Sequence, residues 1–279
     1  MINIFTEMKK IIFLLLIIPS IVYSQDTVKI ATYNLLNYDE DIDRNNYFKL
    51  IIDEIKPDIL VVQEIKNQIA VNNFLDNVLN YNSANYQAGT FILNTNINNA
   101  IYYNSVKFSF ISNTPIPTIS RDLNRFRLLH LASNDTIDLI GLHLKSSQGS
   151  TNQYTRETQI DSLRKITNSL SNPYFIVLGD FNIYSTNEQA YQKMFDPTIS
   201  TGKLNDMYTF SGTMNNSSFS YAHTQSTRTR NFEGGASGGL DDRFDMILFS
   251  DSLIDSSSIY LYQIHTFLME MMGNIIMIQ

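Results

Sequence analysis

The stretch Ile176-Val177-Leu178-Gly179-Asp180-Phe181-Asn182 is an apolar run that stops on an acid, an aromatic ring and an amide. Burying a carboxylate is costly unless it is paired or holds a metal, so Asp180 and Asn182 raise a question of chemistry. Three other runs end in the same way: Val28 to Asn34 on an amide, Asp58 to Glu64 on an acid, and Ile137 to Lys145 on His143 and Lys145. A single acid at a strand end is usually a solvated turn. If these four strands are neighbours, however, their carboxyl ends form one rim carrying Asn34, Glu64, His143, Asp180 and Asn182. Carboxylate and amide oxygens suit a hard cation such as Mg²⁺ or Mn²⁺. His143 could hydrogen-bond a phosphate oxygen, and the set suits metal-assisted attack of water on phosphorus.

The elements that must position these residues alternate in type. Short apolar runs between turn signals read as strands buried on both faces, and Arg243 to Phe249, with Asp245 near its start, adds another. Tyr47 to Ile55 has helical spacing and stops before Pro57; Asn67 to Leu79 and Thr155 to Leu170 also read as amphipathic helices. Phe91 to Asn94, Ala100 to Asn104, Lys107 to Ser112 and Phe126 to Ala132 are expected as further strands. Helices between some strands and hairpins between others predict an α/β fold, a four-layer α/β/β/α sandwich. Asn205 to Gly239 is polar and ends in a Gly/Ser-rich run; it reads as a long mobile loop, either a substrate-contacting wall or a tolerated insertion.

Composition bounds the function. The chain of 279 residues is 43% hydrophobic with a formal net charge of -7, which suits one large domain and weighs against a stable nucleic-acid-binding module. An enzyme on a phosphate substrate would need a metal or a local basic patch. Met8-Lys9-Lys10 followed by an apolar run up to Ser24 reads as an export signal at residues 1–24, with translation starting at Met1 or Met8. This predicts a secreted or periplasmic protein; an uncleaved N-terminal anchor is the alternative. There is no Cys, hence no disulfide brace and no lipid-modified cysteine. A monomer without a stable membrane partner is expected.

The segments Thr32 to Asn37 (TYNLLN), Val61 to Ile65 (VVQEI), Gly141 to Ser146 (GLHLKS), Val177 to Asn182 (VLGDFN) and Asp241 to Ser250 (DDRFDMILFS) occur in this order. As an ordered set they resemble the endonuclease/exonuclease/phosphatase superfamily. That group includes pancreatic-type deoxyribonuclease, abasic-site endonucleases, sphingomyelinases and inositol-phosphate phosphatases. The resemblance covers residues 28 to about 264 and implies a deoxyribonuclease I-like domain over 25–264. It implies Glu64 as principal metal ligand with Asn34 beside it, on the metal or the scissile phosphate. Asp180 would orient or deprotonate the attacking water, and Asn182 would hold a phosphate oxygen or that water. His143 would donate to the phosphate. Asp245 would orient a second His or contribute to the metal site. Lys145 and one of Tyr102 and Tyr103 are candidate phosphate contacts, against a solvated Lys and core aromatics. The activity implied is a divalent-metal-dependent phosphodiesterase, first a secreted nuclease. A phosphatase or phospholipid esterase, and a catalytically dead binding protein, are the alternatives.

The family closes on a Ser-Asp-His segment, and this chain has none. His265 lies in QIHTFLMEMMGNIIMIQ, a Met-rich, nearly uncharged run that matches nothing; His130 and His223 also lie outside the pattern. Residues 265–279 therefore read as an aberrant tail lacking the closing strand, and a shifted reading frame accounts for it. Because Met has one codon, Leu268 to Gly273 constrains its neighbouring frame to Gly, Asn or Asp, Asp, Gly, a loop that resembles the one before the family's closing segment. Genuine divergence is the alternative.

Overall fold

The computed structural model describes residues 26–39, 42–94, 97–199, 202–232, 234–255, 261–266 and 274–278, the last two as backbone. The expected export signal at 1–24 lies outside the described residues, as do residues 267–273 and 279 of the tail 265–279 read as frame-shifted. No helix among the described residues is long and apolar enough to cross a membrane.

Two mixed sheets pack face to face. The first has strands β1 (Val28–Tyr38), β2 (Ile59–Ile65), β3 (Tyr86–Ala88), β4 (Asn98–Asn104), β10 (Leu261–Thr266) and β11 (Asn274–Ile278), in the order β10-β11-β1-β2-β4-β3. The second has β5 (Phe108–Ile116), β6 (Leu123–His130), β7 (Thr136–His143), β8 (Phe175–Asp180) and β9 (Asp245–Phe249), in that order. The helices are α1 (Ile42–Ile55), α2 (Gln68–Phe74, running into a π-turn at Leu75–Leu79), α3 (Ser150–Thr167), α4 (Gln189–Phe195) and α5 (Ser252–Asp255).

Strand period explains the layering, because alternate side chains of a strand face opposite ways. Ile30, Ile59, Val61, Leu139, Ile176 and Leu178 meet between the sheets. Their neighbours Ala31, Leu60 and Val62 face outward with Phe48, Ile52 and Phe74 of the first helical layer. On the other side Ile140, Leu142 and Val177 pack with Ile160 and Leu163 of α3. Continuous apolar runs are thus the signature of strands covered on both faces. The four-layer α/β/β/α sandwich expected from the sequence is the fold observed.

Several expectations need correction. Phe91 to Asn94 is not a strand. The edge of β4 is taken by β3, and the chain then bends back, with Asn94 N donating to Asn98 Oδ1 at 2.9 Å. The polar stretch 205–239 hides an apolar pattern: Phe210 and Met214 are buried, with Tyr208 and Phe219 packed against the same core. A bidentate Arg243–Asp206 pair, at 2.6 and 3.0 Å, ties its start to the residues before β9. The tail does supply a closing strand. β11 pairs antiparallel with β1 from Val28↔Ile278 to Thr32↔Asn274, and β10 pairs with β11. Asn274-Ile275-Ile276-Met277-Ile278 is β-branched and uncharged, a composition that fits a strand, and it covers a β1 edge that would otherwise invite association.

Candidate active site

Two parallel pairs, β1 with β2 and β7 with β8, send their carboxyl ends to one rim of the sandwich. The backbone departs from regular geometry where they arrive. The β1–β2 register slips between Asn34 and Tyr38, and the β2–β4 register slips between Val62 and Ile65. Such bulges re-aim a side chain at the end of a strand. Leu36, Asn37, Glu64 and Asn182 all take left-handed φ, between 48° and 61°, a strained choice for non-glycine residues that clusters at functional sites. Gly179, at φ 142°, lets β8 press against β7, since a Cβ there would stand 2.0 Å from the Leu142 carbonyl oxygen. The glycine of the VLGDFN stretch is therefore a spacing requirement for Asp180.

The side chains converge. Asn34 Nδ2 donates to Glu64 Oε1 and to Asp180 Oδ2, each at 3.0 Å. His143 Nε2 lies 3.7 Å from those same two oxygens. Asn37 N donates to Glu64 Oε2 at 3.0 Å, and Asn182 N donates to Asp180 Oδ1 at 3.0 Å. Asn182 Nδ2 reaches the Leu144 carbonyl at 3.4 Å. Asp245, the first residue of β9, is paired across from Asp180, with its backbone held at both groups by Thr224 Oγ1. Asn34, Glu64, His143, Asp180, Asn182 and Asp245 all line one cavity of about 440 Å³.

Charge is concentrated here. Burial first, then the Glu64 charge, pushes the Asp180 carboxyl up to about 6. Burial, then Asp180 and Glu64, holds the Asp245 carboxyl well above the usual carboxylate range. Burial, with Arg121 and Lys145 nearby, keeps His143 well below its ordinary value and hence neutral at pH 7.

The structure gives some residues other tasks. Asn34, expected on a metal, braces the two carboxylates through Nδ2, while its Oδ1 accepts from Leu36 N at 2.9 Å. Lys145 does not line the cavity; its Nζ donates to the Ser146 carbonyl. Tyr102 and Tyr103 are core residues, bonded to the Val71 carbonyl and to Gln87 Oε1. Among the His residues with described side chains, only His143 lines the cavity: His130 bonds Asp26 and Ser133, and His223 sits between the Met214 and Leu240 carbonyls. His265 lies on β10, its side chain outside the described residues.

Sequence reasoning missed Arg121. In the turn between β5 and β6, it lines the cavity and donates from Nη1 to the Leu144 carbonyl at 2.8 Å. Its signal was slight: one cation in a Ser120-Arg121-Asp122 turn. Also missed was Arg156 of α3. Fully buried, it bonds the Lys145 and Ser147 carbonyls and pairs with Glu188 Oε2 at 2.8 Å. Glu188 in turn accepts from Tyr184 N. One ion pair thereby fixes the loops that follow both β7 and β8.

The donor set fits a hard divalent cation. Glu64 Oε1 and Asp180 Oδ2, which meet at Asn34 Nδ2, are the oxygens that could hold it. Among the described residues no group of three or more His, Cys, Asp or Glu side chains could hold a metal ion.

No protein-family model matches the chain, and no curated protein matches it in sequence. Solved structures do match. An endonuclease/exonuclease/phosphatase family protein from Bacteroides thetaiotaomicron aligns with a TM-score of 0.64 at 13% identity, over 92% of this chain and 98% of that one. The fold is that of the endonuclease/exonuclease/phosphatase proteins. Two further structures with this fold are the human Nocturnin catalytic domain with bound sulfate (TM-score 0.60, 16% identity, 91% and 94% covered) and D. rerio TDP2 complexed with a single-strand DNA product (0.64, 13%, 91% and 100%). The likeness that the ordered motifs suggested thus holds for the endonuclease/exonuclease/phosphatase fold across nearly the whole chain.

Proposed function

We propose that this chain is a divalent-metal-dependent phosphodiesterase acting on nucleic acid. The observation that carries the reading is the convergence of Glu64 and Asp180, from different sheets, on Asn34 Nδ2 beside neutral His143 and cationic Arg121. The anion and the single-strand DNA product bound by proteins of this fold support it.

Glu64 and Asp180 would hold Mg²⁺ or Mn²⁺, which when bound polarises phosphoryl oxygens and offsets the charge of the pair. Asp180, whose carboxyl burial and the Glu64 charge push up in the metal-free chain, is ionised at neutral pH and would take a proton from the attacking water. As the water oxygen bonds to phosphorus, the ester P–O bond opposite breaks and the departing oxygen takes a proton from solvent. Neutral His143 donates an N–H to a non-bridging oxygen, whose charge grows in the transition state. Arg121, anchored through Nη1, offers its other N–H groups to the same phosphate. Asn34 keeps the two carboxylates at their spacing. An export leader at 1–24 would place this activity outside the cytoplasm; comparing secreted and cell fractions checks that.

The test is hydrolysis of plasmid and single-stranded oligonucleotide by the purified chain with Mg²⁺ or Mn²⁺. Cleavage that chelator abolishes, and that Asp180→Asn lacks, is expected. Hydrolysis of phospholipid or small phosphate esters with nucleic acid left intact overturns the substrate, and hydrolysis of no phosphate ester overturns the reading.

A further inference from the structure

The sequence leaves two readings of the polar stretch before β9, a substrate-contacting wall or an insertion. Its hydrogen bonds make it a fixed wall. Thr224 N and Gln225 N donate to the Asp242 carbonyl, each at 3.0 Å, and Gln225 Nε2 reaches the Ser237 carbonyl at 3.1 Å. Gly239 N closes the loop on the Arg228 carbonyl at 3.1 Å, while Arg228 N donates to Ser226 Oγ at 3.3 Å. The loop also leans on β1, where a Cβ at Gly235 would stand 2.8 Å from Leu36 Cδ1. Thr224, Gln225, Arg228 and Gly235 all line the cavity that holds Glu64 and Asp180.

This wall carries a cation with nothing to balance it. The Arg228 guanidinium lies over the Phe232 ring, 4.6 Å from its centroid. Among the described residues it forms no ion pair and donates no hydrogen bond, so its N–H groups are available to a planar anion. Arg228 does not duplicate Arg121. Arg121 hangs on the Leu144 carbonyl beyond β7, and after burial its charge is the next to depress His143. Arg228 acts on the other sheet: burial raises the Tyr33 hydroxyl of β1, and Arg44 and then Arg228 draw it back down. A cavity of about 440 Å³ is of the size that takes ligands much larger than one phosphate.

We propose that Arg228 is a specificity-determining residue that binds the phosphate next to the scissile one, a proposal that rests on the phosphodiesterase reading. With the scissile group at Glu64, Asp180, His143 and Arg121, the neighbouring phosphate of a strand is the anion left for the second cation. A guanidinium meets phosphate oxygens with paired N–H donors. The carboxylates of this cavity repel an added negative charge, and Arg228 offsets that repulsion where the strand continues. The preferred substrate is therefore a strand with at least two charged linkages rather than a lone diester.

The experiment compares a trinucleoside diphosphate with its two analogues in which one linkage is an uncharged methylphosphonate, all with Mg²⁺. In the native chain, neutralising the linkage that meets Arg228 should raise KM about tenfold, the worth of one charge-assisted hydrogen bond. In Arg228→Gln that difference should vanish. Arg230→Gln removes the same charge from an exposed position outside the lining, and it should keep the difference. No such difference in the native chain, its persistence in Arg228→Gln, or its loss in Arg230→Gln overturns the assignment. If the native chain hydrolyses none of the three, the phosphodiesterase reading has failed and Arg228 is judged by binding. A nucleoside 3′,5′-bisphosphate that raises the Tm further than the 5′-monophosphate does in the native chain, but not in Arg228→Gln, upholds the second phosphate site. The absence of that contrast overturns it.

Discussion

Strands β7 and β8 carry buried carboxylates at both ends, and the two ends treat them differently. At the start of β7, Asp138 is fully buried and met by Arg125 at 2.8 and 3.2 Å, by Arg127 at 3.6 Å and by Asn172 at 3.0 Å. At the other end Asp180 faces Glu64 across an asparagine, with Asp245 beside it in the ladder. Among the described residues no Lys or Arg forms an ion pair with Glu64 or Asp180. Arg121, whose side chain lines the same cavity, bonds a carbonyl instead. The first end is a finished charge balance that holds strands together. The second leaves negative charge to be balanced by something brought in, a proton or a metal ion. That imbalance, more than the acids themselves, separates a site from a scaffold.

Mutations at the two ends should part cleanly. Asp180→Asn is expected to cut hydrolysis by about 10²- to 10⁴-fold, the usual loss for a proton-transfer group, in steady-state assays with Mg²⁺. Asp138→Ala should instead cost about 1 to 3 kcal/mol of stability in denaturant titrations, because Arg125, Arg127 and buried Asn172 lose a shared hydrogen-bond partner, while turnover per folded molecule stays native. A comparable loss of turnover from Asp138→Ala would erase the contrast.

Asp180 also carries a pH signature. Its folded carboxyl is raised from 3.8 to about 6, so the folded protein binds more protons than the unfolded chain between these values. The stability from the protonated form is present below about pH 4 and lost as pH rises through about 6. At pH 7 and without metal, Asp180→Asn should therefore be more stable than the native chain, by roughly 2 to 3 kcal/mol for a shift of this size. With Mg²⁺ bound the acid limb of turnover should fall below pH 6 in the native chain, because a neighbouring cation favours the ionised carboxylate. A saturating divalent cation, at about 100 times its Kd, should add about 2.7 kcal/mol to native stability. It should add little to Asp180→Asn, which thermal unfolding with and without Mg²⁺ would reveal. Smallest of all, Lys145→Gln should change turnover by no more than about twofold, as for surface positions generally; a larger loss would return Lys145 to the site.

Much of this was legible in the sequence because the rim residues end apolar runs. A run such as Ile59 to Val62 fixes a strand, and the polar residue that stops it must lie at the strand's end. What was hidden depended on three-dimensional partners. Arg121 is one cation in a turn, and only the packing of that turn against Leu144 brings it to the cavity. Tyr103 sits on a strand as a site residue would, but its ring stacks on Phe110 inside the sandwich. Asn34 could have held a metal by its type; its actual role follows from which amide atom meets the carboxylates. The tail has no period marking it as a strand, and the open edge of β1 decides its pairing.

The Arg156–Glu188 pair has an evolutionary corollary. Because one guanidinium grips the loop after β7 and its carboxylate grips the loop after β8, neither loop can lengthen without a matching change in the other. Natural variants of this chain with altered preferences should therefore keep both loop lengths fixed and place their insertions in the wall around Arg228 and Gly235, where Gly235 rests on Leu36 and no ion pair among the described residues sets the spacing.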